Sequence, residues 1–336
     1  MDFQISILTK LKKILKLKRF KPIIVVAGEP NSIFFEIFFK SLRKKFKSPI
    51  ILIASHKLLK LQMKKFKFKK KIIFIDIKKL KNYKLNNKFI NLIDIKYDKV
   101  YKKKFNNSNI YIKKCFNVAF EILKNGLSNK FINGPINKSK FLDKKFLGMT
   151  EYISKSFKIN KNAMLIYNKD ISVCPITTHL PLKLVPKKIN QKIIKEKTYL
   201  LDNFFRKNLG FKPKIAVTGL NPHCETILKF DEDNNIIKPA IKTLKKKGFK
   251  ISGPYPADTV FLKQNRKKFN VIMGMYHDQV LSPMKTLKEY DAINITLGLP
   301  FLRVSPDHGP NEKMINKNSS NPLSLIRAIK FLDKRW

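Results

Sequence analysis

The chain has 336 residues, 43% of them hydrophobic, and its 72 lysines and arginines against 23 aspartates and glutamates give a formal charge of +49. That apolar fraction supports a sizeable buried core in two lobes or one large one, and no apolar run approaches the ~18 residues of a membrane span. The lysines are scattered (Lys12-Lys13, Lys44-Lys45, Lys69 to Lys71, Lys102 to Lys104, Lys245 to Lys247) with no finger spacing or RNA-binding aromatic signature, so the charge reads as a compositional bias of the surface rather than a nucleic-acid site.

Residues 1–20 form a basic extension in which Ile7, Leu11, Ile14 and Leu15 fall at helical spacing, without the apolar core and cleavage site of a signal peptide. Pro22 to Ala27 is a β-branched run closed by Gly28-Glu29-Pro30, a first buried strand and turn. Asn31 or Ser32 is placed to cap a helix from about Ile33 to Phe46. Pro49 to Ala54 and Ile72 to Ile75 read as strands and His56 to Phe66 as a helix, while Leu80 to Asn107 is Lys/Asn-rich and has no clear pattern. A helix over Ser108 to Lys124 leads to Phe131-Ile132 and then Asn133-Gly134-Pro135-Ile136-Asn137-Lys138. A helical segment follows Gly148-Met149-Thr150-Glu151. Strands over Ala163 to Tyr167 and Ile171 to Thr177 flank an Asn168-Lys169-Asp170 turn. A helix over Ile189 to Arg206, a strand over Lys214 to Thr218, a helix over Ile236 to Lys247, a turn-rich loop over Gly253 to Thr259, an apolar run over Val271 to Met275 and a last helix over Pro322 to Leu332 complete the chain. Alternating strands and helices imply an α/β fold with a mostly parallel sheet and helices on both faces. No G-x-G-x-x-G follows the first strand, so an ordinary dinucleotide-binding turn is unsupported. Cys115, Cys174 and Cys224 suggest no disulfide framework and suit a reducing, cytoplasmic setting.

Only five histidines are present, and three of them, His179, His223 and His277, each follow an apolar strand-like run. In a parallel sheet such positions reach one carboxyl edge, where ligands bind. Three neutral imidazoles converging there suit a divalent metal with a position open to substrate, although each alone is more readily a loop or core histidine. Asp278 is placed to orient a ligand or a metal-bound water. Asp258 is either a second carboxylate of the site or a turn residue bonded to its own backbone. Lys285 and Arg303 suit a phosphate or carboxylate. Arg303 is the sharper candidate, because Leu299-Pro300-Phe301-Leu302 is an apolar context in which a charge needs a reason. Asn294, in Ile293-Asn294-Ile295-Thr296, is a polar group within a strand.

The blocks GEP (28–30), NGPINK (133–138), TEY (150–152), TTHLPL (177–182), GLNPH (219–223), GPYPADT (253–259), YHDQ (276–279) and INITLGLPFLRVSPDHG (293–309), in this order, resemble the 4-hydroxythreonine-4-phosphate dehydrogenases of vitamin B6 biosynthesis. The resemblance runs from Ile23 to Leu332. It implies the two-lobed α/β/α architecture of isocitrate and isopropylmalate dehydrogenases, with a first lobe of 21–133 plus about 290–336 and a second of 134–289 carrying metal ligands and dimer contacts. It implies a homodimer with the site at the subunit interface, NAD or NADP, and a divalent metal (Zn, Mg or Co) on His179, His223 and His277, shared between the two subunits. Thr150, Lys285, Asn294 and Arg303 are then the substrate contacts. Asp258 and Asp278 are candidate general bases, and the Ser305-Pro306-Asp307-His308-Gly309 turn, with Asp307 and His308, serves either the cofactor side or the structure. The implied reaction oxidises the C3 hydroxyl of 4-phosphooxy-L-threonine, and the resulting 2-amino-3-oxo acid decarboxylates to 3-amino-2-oxopropyl phosphate. The chain departs from the family at Met149, where a histidine is common, and after His223, where a glycine-rich stretch is replaced by Cys224-Glu225-Thr226-Ile227-Leu228. An enzyme acting on a phosphorylated sugar acid (threonate or erythronate 4-phosphate) is the competing reading. A basic nucleic-acid-binding protein is the distant one.

Overall fold

The β-branched runs form one sheet. In the computed structural model, which describes residues 20–97, 106–137, 141–142, 146, 148–227, 230–306, 309–315 and 317–334, it has twelve strands among those residues. They are β1 (Ile23–Val26), β2 (Ile50–Ala54), β3 (Ile72–Phe74), β4 (Ile90–Asp94), β5 (Lys130–Asn133), β6 (Ala163–Tyr167), β7 (Ser172–Pro175), β8 (Ile215–Thr218), β9 (Ile251–Tyr255), β10 (Val271–Gly274), β11 (Ile293–Leu297) and β12 (Leu302–Pro306). Their order across the sheet is β3-β4-β2-β1-β5-β12-β11-β6-β7-β10-β8-β9.

The first six strands are mutually parallel, as are the last four, β7-β10-β8-β9. β11 and β6 join the two blocks through antiparallel pairings. Parallel strands are covered on both faces and read as continuous apolar runs. Every residue of β1 and β2 is buried accordingly. Leu323–Leu332 packs on β11 and β12, and Asn106–Lys124 packs on β1 and β2. Aromatic side chains fill the space between helix and sheet, with Phe116 and Phe120 each edge-on to Phe131 of β5. In the second block His277–Lys288 covers β7 and β10 while Gln191–Phe204 and Lys238–Lys246 pack against one another.

Three local expectations change. β4 lies inside the stretch with no clear pattern, second from the sheet's edge between β3 and β2. Its pattern is broken by Asn91, which is buried but satisfied, since its Nδ2 donates to Ile50 O (2.8 Å) and Asn86 O (2.9 Å). The turn-rich 253–259 loop begins inside β9, an edge strand, where a proline costs no ladder bond. The first helix spans Phe34–Ser41, shorter than expected, and neither Asn31 nor Ser32 is its N-cap residue, which is Ile33. The Ser32 hydroxyl instead donates to Glu29 O and accepts from Phe34 N. No described helix is long and apolar enough to cross a membrane. Residues 1–19, the bulk of the basic extension, lie outside the described residues.

Candidate active site

Strand register decides which side chains share a face. Thr296 of β11 stands opposite Arg303 of β12, and Asn294 stands opposite Ser305. On the other side of β11, Asn294 pairs with Ile166 and Thr296 with Met164. Arg303 also pairs with Phe131 of β5, and Asn133, two residues on, returns to the same face. Asn133, Met164, Ile166, Asn294, Arg303 and Ser305 thus form the floor of one cavity of about 320 Å³. Arg303 is only 3% exposed. Its Nε donates to Asn133 Oδ1 (2.9 Å) and one terminal nitrogen donates to Thr296 Oγ1 (2.8 Å). Thr296 Oγ1 lies 3.4 Å from Thr150 Oγ1. Burial pulls the guanidinium's pKa down to about 10, while the Glu151 carboxylate pulls the other way, so the group stays charged at neutral pH. A buried Asn294 Oδ1 has no hydrogen-bond partner among the described residues, an acceptor left for a ligand to use.

Two helices and a loop close the cavity. Met149 and Thr150 open the helix Met149–Ser156. His277, Leu281 and Lys285 follow at intervals of four along His277–Lys288, which puts them on one helix face, and all three line the cavity. His179 arrives from the loop after β7. That loop is held to the end of β10 beyond the regular ladder: Ile176 N donates to Gly274 O (2.7 Å), and Thr177 Oγ1 donates to Met275 O (2.8 Å). The rings of His179 and His277 therefore lie 5.8 Å apart, centre to centre. His277 Nδ1 is 2.6 Å from Asp278 Oδ1, so the carboxylate accepts from the Nδ1 edge of the ring and orients it.

His223 does not join them in the same chain. It is exposed, lies outside the cavity lining and sits with Cys224 in two consecutive left-handed positions (φ 56° and 65°). The loop before it is rigidly anchored. Buried Asp233 accepts from Leu220 N (2.9 Å), Asn221 N (3.0 Å) and Asn221 Nδ2 (2.9 Å). Asp258 belongs to the same outer region, exposed on the short turn Ala257–Val260. Its charge is one of those that, after burial, raise the pKa of the Cys224 thiol. Among the described residues no three His, Cys, Asp or Glu side chains are grouped closely enough to hold a metal.

Residues 45–332 match the family described as "Pyridoxal phosphate biosynthetic protein PdxA". The chain belongs to this family. The 4-hydroxythreonine-4-phosphate dehydrogenase of Sulfurihydrogenibium sp. (strain YO3AOP1) is 35% identical over 319 residues, 91% of this chain and 95% of that one. The crystal structure of the Klebsiella pneumoniae 4-hydroxythreonine-4-phosphate dehydrogenase superposes with a TM-score of 0.79 at 28% identity, covering 93% of this chain and 98% of that one. A putative enzyme of the same name from Salmonella typhimurium gives a TM-score of 0.80 at 28% identity over the same shares. The chain is thus an oxidoreductase of pyridoxal phosphate biosynthesis with the mostly parallel α/β fold of its family.

Within this PdxA-family fold, the cavity brings together Thr150, Lys285, Asn294, Arg303, His179 and His277, leaves His223 and Asp258 apart, and has Asp278 behind His277. Asp307 and His308 lie outside the described residues. Two residues that hold the site drew no role from the sequence. Gln279 Oε1 accepts from Met275 N (2.7 Å) and Thr218 Oγ1 (2.8 Å), and its Nε2 donates to Gly219 O (2.8 Å), so one side chain ties the His277 turn to the His223 loop. Asp233 is the other. Gln279 stood beside His277 in the YHDQ block, and adjacency to a candidate ligand was its only signal. Asp233 acts across more than ten residues of loop and carried none.

Proposed function

We propose that the cavity binds 4-phosphooxy-L-threonine and that the chain oxidises its C3 hydroxyl with a nicotinamide cofactor. The observation that carries this reading is the polar face of Arg303, Asn294, Thr150 and Lys285 gathered into the one cavity that also holds two histidines. The buried guanidinium and the Lys285 ammonium supply fixed positive charge for a phosphorylated acid. Thr150 and Asn294 fix its orientation, so that C3 is held where hydride transfer occurs. The hydroxyl loses its proton and C3 loses hydride to the nicotinamide. The resulting 2-amino-3-oxo-4-phosphooxybutanoate then releases CO2 to give 3-amino-2-oxopropyl phosphate.

A divalent metal fits the donors: two imidazoles face one cavity, one of them with a carboxylate on its far nitrogen. His179 and His277 would hold it, together with His223 of a second copy of the chain, which brings Asp258 alongside. Such an ion would stabilise the oxygen as it loses its proton and polarise the ketone during decarboxylation. This makes the functional unit a homodimer whose lobes divide near Asn133 and residue 290. Ser305, Pro306 and Gly309 line the wall that would face the cofactor, the role also proposed for Asp307 and His308. Asp278 holds His277, and Asp258 is the candidate for the proton from C3–OH.

The test is NADH or NADPH formation from 4-phosphooxy-L-threonine with Zn, Mg or Co, beside threonate 4-phosphate and erythronate 4-phosphate. Turnover of the sugar acids alone would transfer the site to that substrate class, a reading for which Met149 in the cavity wall is the specific motive. Turnover of none of them would remove the proposal.

A further inference from the structure

We infer that Glu151 is a positioning residue of this site: its carboxylate accepts the Nδ1–H of His179 and so directs the other ring nitrogen, Nε2, into the cavity. The inference rests on reading His179 as a ligand, but it concerns side chains of this chain alone.

Glu151 lies in the first turn of Met149–Ser156, directly after Thr150. Its Oε2 is buried and has no hydrogen-bond partner among the described residues, His179 Nδ1 included, so the inferred bond requires a small turn of one of the two side chains. A bare buried acceptor costs on the order of 1–3 kcal/mol, more when charged, so a donor within reach is expected. Gly148 shows which donor is near. A Cβ built on it would stand 2.8 Å from Glu151 Oε2, 2.8 Å from His179 Cε1 and 2.9 Å from His179 Nδ1. The carboxylate oxygen and the Nδ1 edge of the ring therefore border the same small space, which any side chain at 148 would fill. Gly148 is extended (φ −165°), a conformation open to every residue. Glycine is required there for room, not for backbone freedom.

The carboxylate also faces the substrate side. Glu151 is the charge that opposes the burial-driven lowering of the Arg303 pKa, and it is among those that do so for Lys197, whose Nζ donates to Asn162 O. One side chain thus stands between the phosphate-facing cation and the metal-facing imidazole. Carboxylates behind ligating histidines fix tautomer and ring orientation, and their loss costs 10–100-fold in metal affinity.

The experiment uses selective ¹⁵N labelling of the five histidines in the metal-free, full-length protein. His179 is assigned by its replacement with glutamine. The wild-type His179 ring is expected as the Nδ1–H tautomer. An Nε2–H tautomer overturns the inference, and this readout does not depend on a Glu151 variant folding. In Glu151→Gln the Nδ1–H preference is expected to be lost, and Zn and Co affinity by calorimetry should fall roughly 10–100-fold, with Glu151→Asp between the two. Unchanged ring shifts and metal affinity in Glu151→Gln overturn the inference equally. If the wild type binds neither Zn nor Co, the metal reading fails, and the ring tautomer still decides for or against Glu151.

Discussion

The two sides of the cavity are built differently. On the side proposed for substrate, Arg303 is 3% exposed and bonded to Asn133 and Thr296. On the histidine side, His277 leans on an Asp278 whose side chain is 79% exposed, and His223 stands away from both other histidines. The first side is preorganised by sheet register, so binding needs no reordering of its buried groups. On the proposed reading the second is completed only by another copy of the chain. Its loop is nonetheless anchored by Asp233 and Gln279, which is not how an idle surface loop is built. Fixed geometry without a local partner is what a contribution to another copy of the chain requires.

The largest effect is expected from removing the preorganised cation. Arg303→Met should lower kcat/KM by roughly 10³-fold, the range for truncating a buried charged contact. Stability should move less, within about 2 kcal/mol, because two effects oppose. Asn133 and Thr296 lose a donor, while a desolvated charge is relieved. Steady-state kinetics and thermal melting check both, and an active variant would show that substrate binds elsewhere. Mixing tests the other side directly. Arg303→Met and His223→Ala are each expected to be inactive. Refolded together, their heterodimers carry one intact site of two, so random pairing should recover roughly a quarter of wild-type activity. If His223 serves its own chain, mixing recovers nothing and the contrast between the two sides collapses.

Gln279→Leu should produce a smaller, mixed effect. Three hydrogen bonds disappear at once, leaving Met275 N, Thr218 Oγ1 and Gly219 O to find other partners at a cost of about 2–3 kcal/mol. Because those groups lie under the histidine turns, metal affinity should fall while the KM for substrate changes little. A KM that rises as much as metal affinity falls would mean the two sides share this support.

The contrast also explains what was legible in the chain itself. Alternating apolar runs implied the parallel α/β sheet, because strands buried on both faces leave an unbroken apolar signature. Arg303 and Asn294 were legible because a polar residue inside such a run must be satisfied or used. The separation of His223 from His179 and His277 was beyond any single-chain pattern. It depends on left-handed backbone at His223 and Cys224 and on a loop fixed by Asp233, none of which repeats with a period. β4 was hidden for a related reason, since Asn91 breaks the run and one of its two compensating bonds goes to Ile50, distant in sequence.

The smallest effect is expected where the chain departs from its family. Met149 is 6% exposed and lines the cavity beside Thr150, at a place where the resemblance implies a histidine. A thioether offers no donor to an anionic substrate and only a weak acceptor. Met149→His should therefore lower KM for 4-phosphooxy-L-threonine several-fold, about the 1 kcal/mol of one net hydrogen bond. It should leave kcat within about twofold, since a contact made equally in ground and transition states acts on KM alone. Burying an imidazole there without a ligand should cost about 1–3 kcal/mol of stability in the free enzyme, and substrate should restore part of it. Comparison with threonate 4-phosphate, which has a hydroxyl in place of the amino group, locates the contact. An equal gain with both substrates places it on the phosphate or carboxylate. A gain confined to the amino acid places it on the amine. An unchanged KM with both would mean that Thr150, its neighbour on the same helix turn, already makes the contact the family assigns to that corner.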